Sequence, residues 1–332
     1  TLTVDPFHPD PAAINQASEV IQVGGLVAFP TETVYGLGAN ALDSHAVARI
    51  FEAKGRPSYN PLIVHIPDKD AARDLVQEWT ETAERLADRF WAGALTLVLK
   101  KSNRVPDMVT GGGDTVALRV PAHPVAQALL KRAGVPIAAP SANRSNQLSP
   151  TLAAHVAQGL TGRIEMILDG GATTGGVEST VLSLVENPPR LLRPGLITPS
   201  EIAEVIGAVQ VGAEAPVQSK TTPLLSPGML ARHYAPQTPL IIAQGDGAEE
   251  VSAFLRQGLR VGWLTFHPQP PQPNLYPTLM PSTAEGYASR LFAELHLLDG
   301  IGVDRIVVAE TPRGGKWLAI EDRLRRASLP TE

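Results

Sequence analysis

Along the first two-thirds of the chain, runs with helical spacing of apolar residues alternate with short apolar runs. Asp10-Pro11 puts a capping residue before a proline at the first helical position. Ile14, Ala17 and Ile21 then recur at helical spacing, and Gly24-Gly25 stops the run. Residues 26–29 read as a buried strand. Ser44 is expected to cap a second helix with Val47, Ile50 and Phe51 on one face, and a second strand follows at 62–66. Further strands are expected at 95–99, 115–120, 136–139 and 165–168, with a helix at 124–132. Two more, at 178–185 and 190–193, are joined by a turn through Asn187-Pro188-Pro189. Thr198-Pro199-Ser200-Glu201 is a capping box that opens a helix reaching about Gly207.

The pattern breaks over 212–238, where Pro, Ser, Thr and Gly dominate and periodicity fades, as in a linker. Alternation then resumes in a smaller unit. Strands are expected at 240–243, 261–265 and 305–309, and helices at 249–257, 284–298 and 317–325. The middle helix aligns Tyr287, Leu291, Leu295 and Leu298 in one stripe, and 267–273 reads as an exposed loop. The pattern predicts an α/β domain with a mixed sheet over 1–211, a linker over 212–238, and a small Rossmann-like α/β unit over 239–332.

Composition narrows the chemistry. The chain has 332 residues and a hydrophobic fraction of 43%, enough to bury two cores. Its formal net charge of −5 argues against a globally basic nucleic-acid surface, though a local basic cleft stays open. With no cysteine, disulfides, thiolate zinc sites and thiol catalysis all drop out, which fits a cytoplasmic chain. Residues 1–11 carry no apolar signal core, and no window suits a membrane helix. Common nucleotide signatures are missing as well: Gly315-Lys316 is followed by Trp317 rather than Ser or Thr, and no GxGxxG opens a helix after a strand.

Chemistry-bearing residues gather in loops. PTETVYGLGANA (30–41) follows the first long strand and brings hydroxyls and bare backbone to a sheet edge, where ligands of open α/β sheets sit; a β–α turn needing glycine is the alternative. In KGRPSYNPLIVHI (54–66), Lys54 and Arg56 either complement a helix C-terminus or face a shared anionic ligand. His65 in an apolar strand reads first as a buried histidine. In GGGDTVALRVP (111–121), Arg119 falls on an inner strand and requires an anion, either a substrate carboxylate or a structural Asp or Glu. APSANRSNQLSP (139–150), GGVESTVLSL (175–184), LLRPG (191–195) and SPGMLARHYAP (226–236) complete the set.

In this order these segments resemble the threonylcarbamoyl-AMP synthase family, known as YrdC, TsaC and Sua5; the two-unit layout with an HYAP-type linker resembles its longer Sua5 form. The resemblance implies a twisted, mixed-sheet YrdC-like catalytic domain with a cationic cavity. It also implies condensation of L-threonine with bicarbonate or CO2 and adenylation of the carbamate by ATP, with Mg2+ held mainly by phosphates and no protein metal site. It places threonine near Thr33, His65, Arg119, Ala139 and Ser179, with Thr31 a near alternative to Thr33. It places ATP near Arg56, Asn60, Thr115, Ser141, Ser149, Arg193 and Tyr234. Lys54, Arg56 and Asn143 are the implied catalytic group, and His233 and Tyr234 suggest a linker that closes as a lid. Implied partners are downstream tRNA threonylcarbamoyl-transfer proteins, with possible tRNA or RNA contact and no membrane. Competing readings are an RNA-binding module without turnover, a carbamoyl-transfer subunit of the hydrogenase-maturation type, and a threonine sensor. Hydrogenase-maturation proteins carry Cys-rich zinc modules, which this chain lacks.

Overall fold

The computed structural model describes residues 1–212 and 234–329. Residues 213–233, which hold most of the expected linker and His233, lie outside the described residues, and so does most of the expected lid, 223–236.

The larger sheet has ten strands: β1 (Leu2–Thr3), β2 (Val27–Phe29), β3 (Gly36–Asn40), β4 (Ile63–His65), β5 (Leu95–Lys100), β6 (Thr115–Arg119), β7 (Ile137–Ala138), β8 (Met166–Asp169), β9 (Thr180–Ser183) and β10 (Arg190–Arg193). Their order is β1-β8-β2-β3-β7-β4-β6-β5-β9-β10, with parallel and antiparallel neighbours mixed. Alternation along β2 shows how the layers form. Val27 and Phe29 join the core under α1 (Pro11–Gln22), while Leu26 and Ala28 join the opposite core. Four helices follow in the chain: α2 (Ser44–Lys54), α3 (Glu81–Phe90), the short α4 (Asp107–Thr110) and α5 (Pro124–Ala133). α2 and α3 pack into the first-named face's opposite core, and α5 packs beside α1. Last come α6 (Ala153–Leu160) and α7 (Pro199–Ile206), the latter with the expected capping box complete. The cap of α2 is Asp43, not Ser44, because the Asp43 carboxylate accepts from the His45 and Ala46 N–H groups.

The smaller sheet is fully parallel, in the order β11 (Leu240–Ile242), β14 (Arg305–Val308), β12 (Val261–Thr265), β13 (Leu275–Leu279). Helix α8 (Ala248–Arg256) covers one face; α9 (Ala284–Gly300) and α10 (Leu318–Ala327) cover the other. The Tyr287, Leu291, Leu295, Leu298 stripe of α9 is buried as the spacing predicts. Each such side chain contributes about 1.5–3 kcal/mol of transfer free energy. This core does not end at the smaller unit: Val34, Leu148, Val177 and Tyr234 belong to it, so the two sheets share one apolar seam. Gly176 makes the approach possible, since a Cβ there would lie 2.1 Å from the Ala288 carbonyl oxygen on α9.

Candidate active site

The site forms where strand ends meet at one edge of the large sheet. β4 and β6 are parallel, and their register sets His65 beside Arg119 at the carboxyl ends. An isolated bridge between Gly36 and Ser141 brings the start of β3 against the segment after β7. β9 pairs with β10, which delivers Ser179 just before one strand and Arg193 at the end of the other. A cavity results, lined by Thr31, Thr33, His65, Arg119, Ala139, Ser141, Ser179, Arg56, Arg193 and Tyr234 among others. Every residue the resemblance assigns to threonine is in this lining.

The loop 30–35 connects two antiparallel strands, β2 and β3, rather than a strand and a helix. Its shape comes from Thr31. The Thr31 hydroxyl donates to the Val34 carbonyl at 2.7 Å and accepts from the Thr33 and Val34 N–H groups, while its oxygen lies 2.8 Å from that of Thr33.

Arg119 has a structural carboxylate partner. Its Nη2 donates to Glu32 Oε1 at 2.6 Å, Nη1 to Thr33 Oγ1 at 3.0 Å, and Nε to the Gly93 carbonyl at 3.2 Å. Three of its five N–H groups are thus engaged, and one on each terminal nitrogen remains for a ligand carboxylate. Arg56 is held similarly. Nε donates to the Asn60 carbonyl, and Nη2 to Asn60 Oδ1 at 2.6 Å and the Pro61 carbonyl at 2.8 Å, so Nη1 is left to the cavity it lines. Burial, opposed by Tyr234 and reinforced by Arg193, pushes the Arg56 guanidinium down to about 10, which still leaves it charged at neutral pH. Arg193 donates from Nε to the Ser179 carbonyl at 3.0 Å and from Nη2 to Ser179 Oγ at 3.1 Å. The Ser179 hydroxyl is also 2.8 Å from Thr96 Oγ1.

Five expected site residues stand behind the wall or away from it. Lys54 is fully enclosed, and its ammonium donates to the carbonyls of Ser141 (2.5 Å) and Asn143 and to Asn143 Oδ1 (3.4 Å). Burial, then Arg56, depresses its pKa well below the usual lysine range. Its donors are spent on the backbone after β7, so in this structure it shapes the segment carrying Ser141 instead of facing the cavity. Asn143 donates to the Arg144 and Gln147 carbonyls and braces the same turn. Asn60 orients Arg56, and Ser149 donates to Glu178. Thr115 begins β6, four residues from Arg119 and so about 13 Å away along the strand.

Sequence reasoning missed three charged residues. Glu32 and Glu178 were inside quoted motifs, but nothing in spacing marked them as partners of Arg119 and of a distant arginine. That arginine, Arg323, comes from α10 and meets Glu178 at 2.7 Å.

His65 is buried, and its Nδ1 has no hydrogen-bond partner. Burial first, then Arg119, drive its pKa down to about 3, so it is neutral at physiological pH. His155 is also lowered, to about 4, by burial and then by His296, whose ring stacks on it at 3.9 Å. The His296 pKa is lowered mainly by burial. In each case the folded pKa lies below the unfolded one. Stability is therefore full above pH 6.5 and is lost as pH falls and the unfolded chain takes up protons. His65 alone accounts for about 2 kcal/mol of loss by pH 5. Urea midpoints measured from pH 7.5 to pH 5 should fall steadily; a flat profile across that window contradicts a neutral buried His65.

A family model for Sua5, YciO and YrdC, described as telomere recombination, matches residues 19–195. A second, described as the C-terminal domain of threonylcarbamoyl-AMP synthase, matches residues 197–328. A threonylcarbamoyl-AMP synthase of Pyrococcus abyssi is 48% identical, over 95% of this chain and 94% of that protein. One of Bacillus subtilis is 44% identical, over 98% and 95% respectively. The crystal structure of Pyrococcus abyssi Sua5 complexed with L-threonine superposes with a TM-score of 0.92 at 45% identity, covering 99% of this chain and 98% of that one.

Proposed function

The chain belongs to the threonylcarbamoyl-AMP synthase family, and from that premise we propose that it condenses L-threonine with bicarbonate or CO2 and adenylates the carbamate with ATP, releasing pyrophosphate. The observation that carries this reading is one cavity lined by a neutral imidazole, two threonine hydroxyls and three buried arginines. Threonine fits the Thr33, His65, Arg119, Ala139, Ser179 side, with the remaining N–H groups of Arg119 for its carboxylate. ATP fits the Arg56, Ser141, Arg193, Tyr234 side. We take 1–211 as the catalytic unit and 239–332 as a C-terminal unit, joined by 212–238.

The threonine amine, in its neutral form, attacks the carbon of CO2, or of bicarbonate with loss of water. With CO2 the proton on nitrogen passes to solvent water; with bicarbonate it departs in the water released; either way a carbamate forms. A carbamate oxygen then attacks the α-phosphorus as pyrophosphate departs in line. Such a transfer needs alignment and charge neutralisation more than a nucleophilic side chain. Arg56 and Arg193 supply fixed donors, while Glu32 and Thr33 hold Arg119 in place before substrate arrives. Mg2+ would come with the nucleotide. Among the described residues no group of three or more His, Cys, Asp or Glu is placed to hold a metal, and Glu32 and Glu178 are engaged by arginines, so phosphate oxygens are the fitting ligands. The product is the activated group for forming N6-threonylcarbamoyladenosine in tRNA, passed to downstream transfer proteins in the cytoplasm. No helix among the described residues is long and apolar enough to cross a membrane.

The direct test is pyrophosphate release with L-threonine, bicarbonate and ATP, each omitted in turn. Release should require all three. Threonine binding without release would favour a sensor. Absence of turnover with RNA binding that weakens steeply as salt rises would favour an RNA-binding module.

A further inference from the structure

The C-terminal unit reaches the cavity wall by apolar packing of α9 on Val34 and Tyr234 and by a buried arginine on α10. Arg323 is fully buried in α10, yet it is not part of the cavity lining. Its Nε donates to Glu178 Oε2 at 2.7 Å, Nη1 to Asp322 Oδ2 at 2.6 Å, and Nη2 to the Pro194 carbonyl at 3.1 Å. Its guanidinium carbon lies 4.8 Å over the Tyr234 ring. Both Glu178 and Tyr234 line the cavity. The other oxygen of Glu178 accepts from the Ser149 hydroxyl.

A carboxylate is an awkward group in that wall. A triphosphate brings several negative charges into a poorly hydrated space, where an unpaired carboxylate repels it. A loose Glu178 could also turn onto a neighbouring guanidinium. Arg193 is nearest at hand, since it is bonded to Ser179, the next residue in the chain. An Arg193–Glu178 pair would be a strong charge-assisted contact and would remove a phosphate donor. Arg323 and Ser149 instead occupy both oxygens of Glu178 from behind.

We propose that Arg323 is a positioning residue for the nucleotide: by holding Glu178 and the Tyr234 ring from behind, it leaves Arg193 and Arg56 available to phosphate oxygens, so that the C-terminal unit completes the active site. The proposal rests on reading this cavity as the ATP site. It gives α10 a role that a simple tether between two units would not have. A buried ion pair is by itself weak evidence for stability, so the functional account must be separable from a structural one.

The separation comes from removing the carboxylate as well. ATP and L-threonine binding are measured by calorimetry on the full chain, for wild type, Arg323→Met, and Arg323→Met combined with Glu178→Gln; thermal melts report folding. Arg323→Met should raise the Kd for ATP by about tenfold or more, with little change for threonine, and the double variant should recover most of that loss. If Arg323→Met does not fold, Arg323→Gln with and without Glu178→Gln is read the same way. Unchanged ATP affinity in the folded single variant overturns the proposal. So does a folded double variant that binds ATP no better than the single, because the proposal lays the loss on the freed Glu178 charge, and so does an equal weakening of ATP and threonine binding in the single variant, which is what a purely structural arginine would give. Wild type that binds threonine but no ATP would instead overturn the ATP reading of the cavity.

Discussion

Arg56→Ala should lower the rate of pyrophosphate release by about a hundredfold or more while leaving the fold in place. The guanidinium is braced by Asn60 and the Pro61 carbonyl, so little reorganisation is needed when phosphate arrives, and Nη1 is the group it presents to the cavity. A preorganised donor in a water-poor site acts on charge that develops in the transition state, which is why its loss falls on rate. The sequence left a second account open, in which Arg56 complements the dipole of α2. The structure argues against it. Gly55 caps the helix in the left-handed conformation at φ 62°, Lys54 is the basic residue of the last turn, and although the Arg56 backbone N–H donates to the Phe51 carbonyl, its guanidinium bonds forward to Asn60 and Pro61. A dipole role would cost only about 0.3–1 kcal/mol of stability and leave turnover alone. Initial rates alongside thermal melts decide between them. Arg56→Lys should behave closer to alanine than to wild type, because an ammonium cannot reproduce the fork that meets Asn60, Pro61 and the cavity together. Normal turnover in Arg56→Ala would remove Arg56 from the site.

Much of this was legible because the chain keeps local pattern and fold in agreement. Long periodic segments such as 11–22 and 284–298 and apolar runs such as 95–99 form the elements their spacing predicts. What was missed has specific causes. β3 carries Gly36 and Gly38, which read as loop. Yet a Cβ at Gly38 would lie 2.7 Å from both Ile137 and Phe29, so the strand needs glycine to pack against its neighbours. β13 contains Pro277, which suggests a break, but the strand is at the sheet's edge, where the missing N–H has no ladder partner to serve. Within the site, residue types were readable and their partners were not. Arg119 demanded an anion, but only the folded loop 30–35 shows that Glu32 supplies it. Lys54 resembled a phosphate cation until three oxygens of the turn it supports accounted for its donors. Arg323 lies 145 positions from Glu178 along the chain, and no periodicity reports a pairing over that separation.

L-Valine should be a far poorer substrate than L-threonine, by about 10⁴ in kcat/KM. The two differ by a hydroxyl in place of a methyl, so shape alone discriminates weakly. What discriminates is a buried polar atom that only one of them satisfies. The hydroxyls nearest the proposed threonine position are already committed: Thr33 Oγ1 to Thr31 and Arg119, Ser179 Oγ to Thr96 and Arg193. His65 Nδ1 is not, being buried and unpaired. Burial, then Arg119, keep the ring neutral, so it offers one acceptor and one donor, not two donors. A threonine hydroxyl can answer either nitrogen function; a valine methyl leaves it desolvated and unmet, which is the costly case. Serine keeps the hydroxyl but loses the methyl, worth about 1–3 kcal/mol in a fitted pocket, and should fall between the two. If His65 serves the substrate amine instead of its side chain, valine will satisfy it as well as threonine does, and the two rates will converge. Pyrophosphate release measured with threonine, serine and valine under one set of conditions distinguishes these cases, and equal kcat/KM for valine and threonine would take the side-chain hydroxyl away from His65.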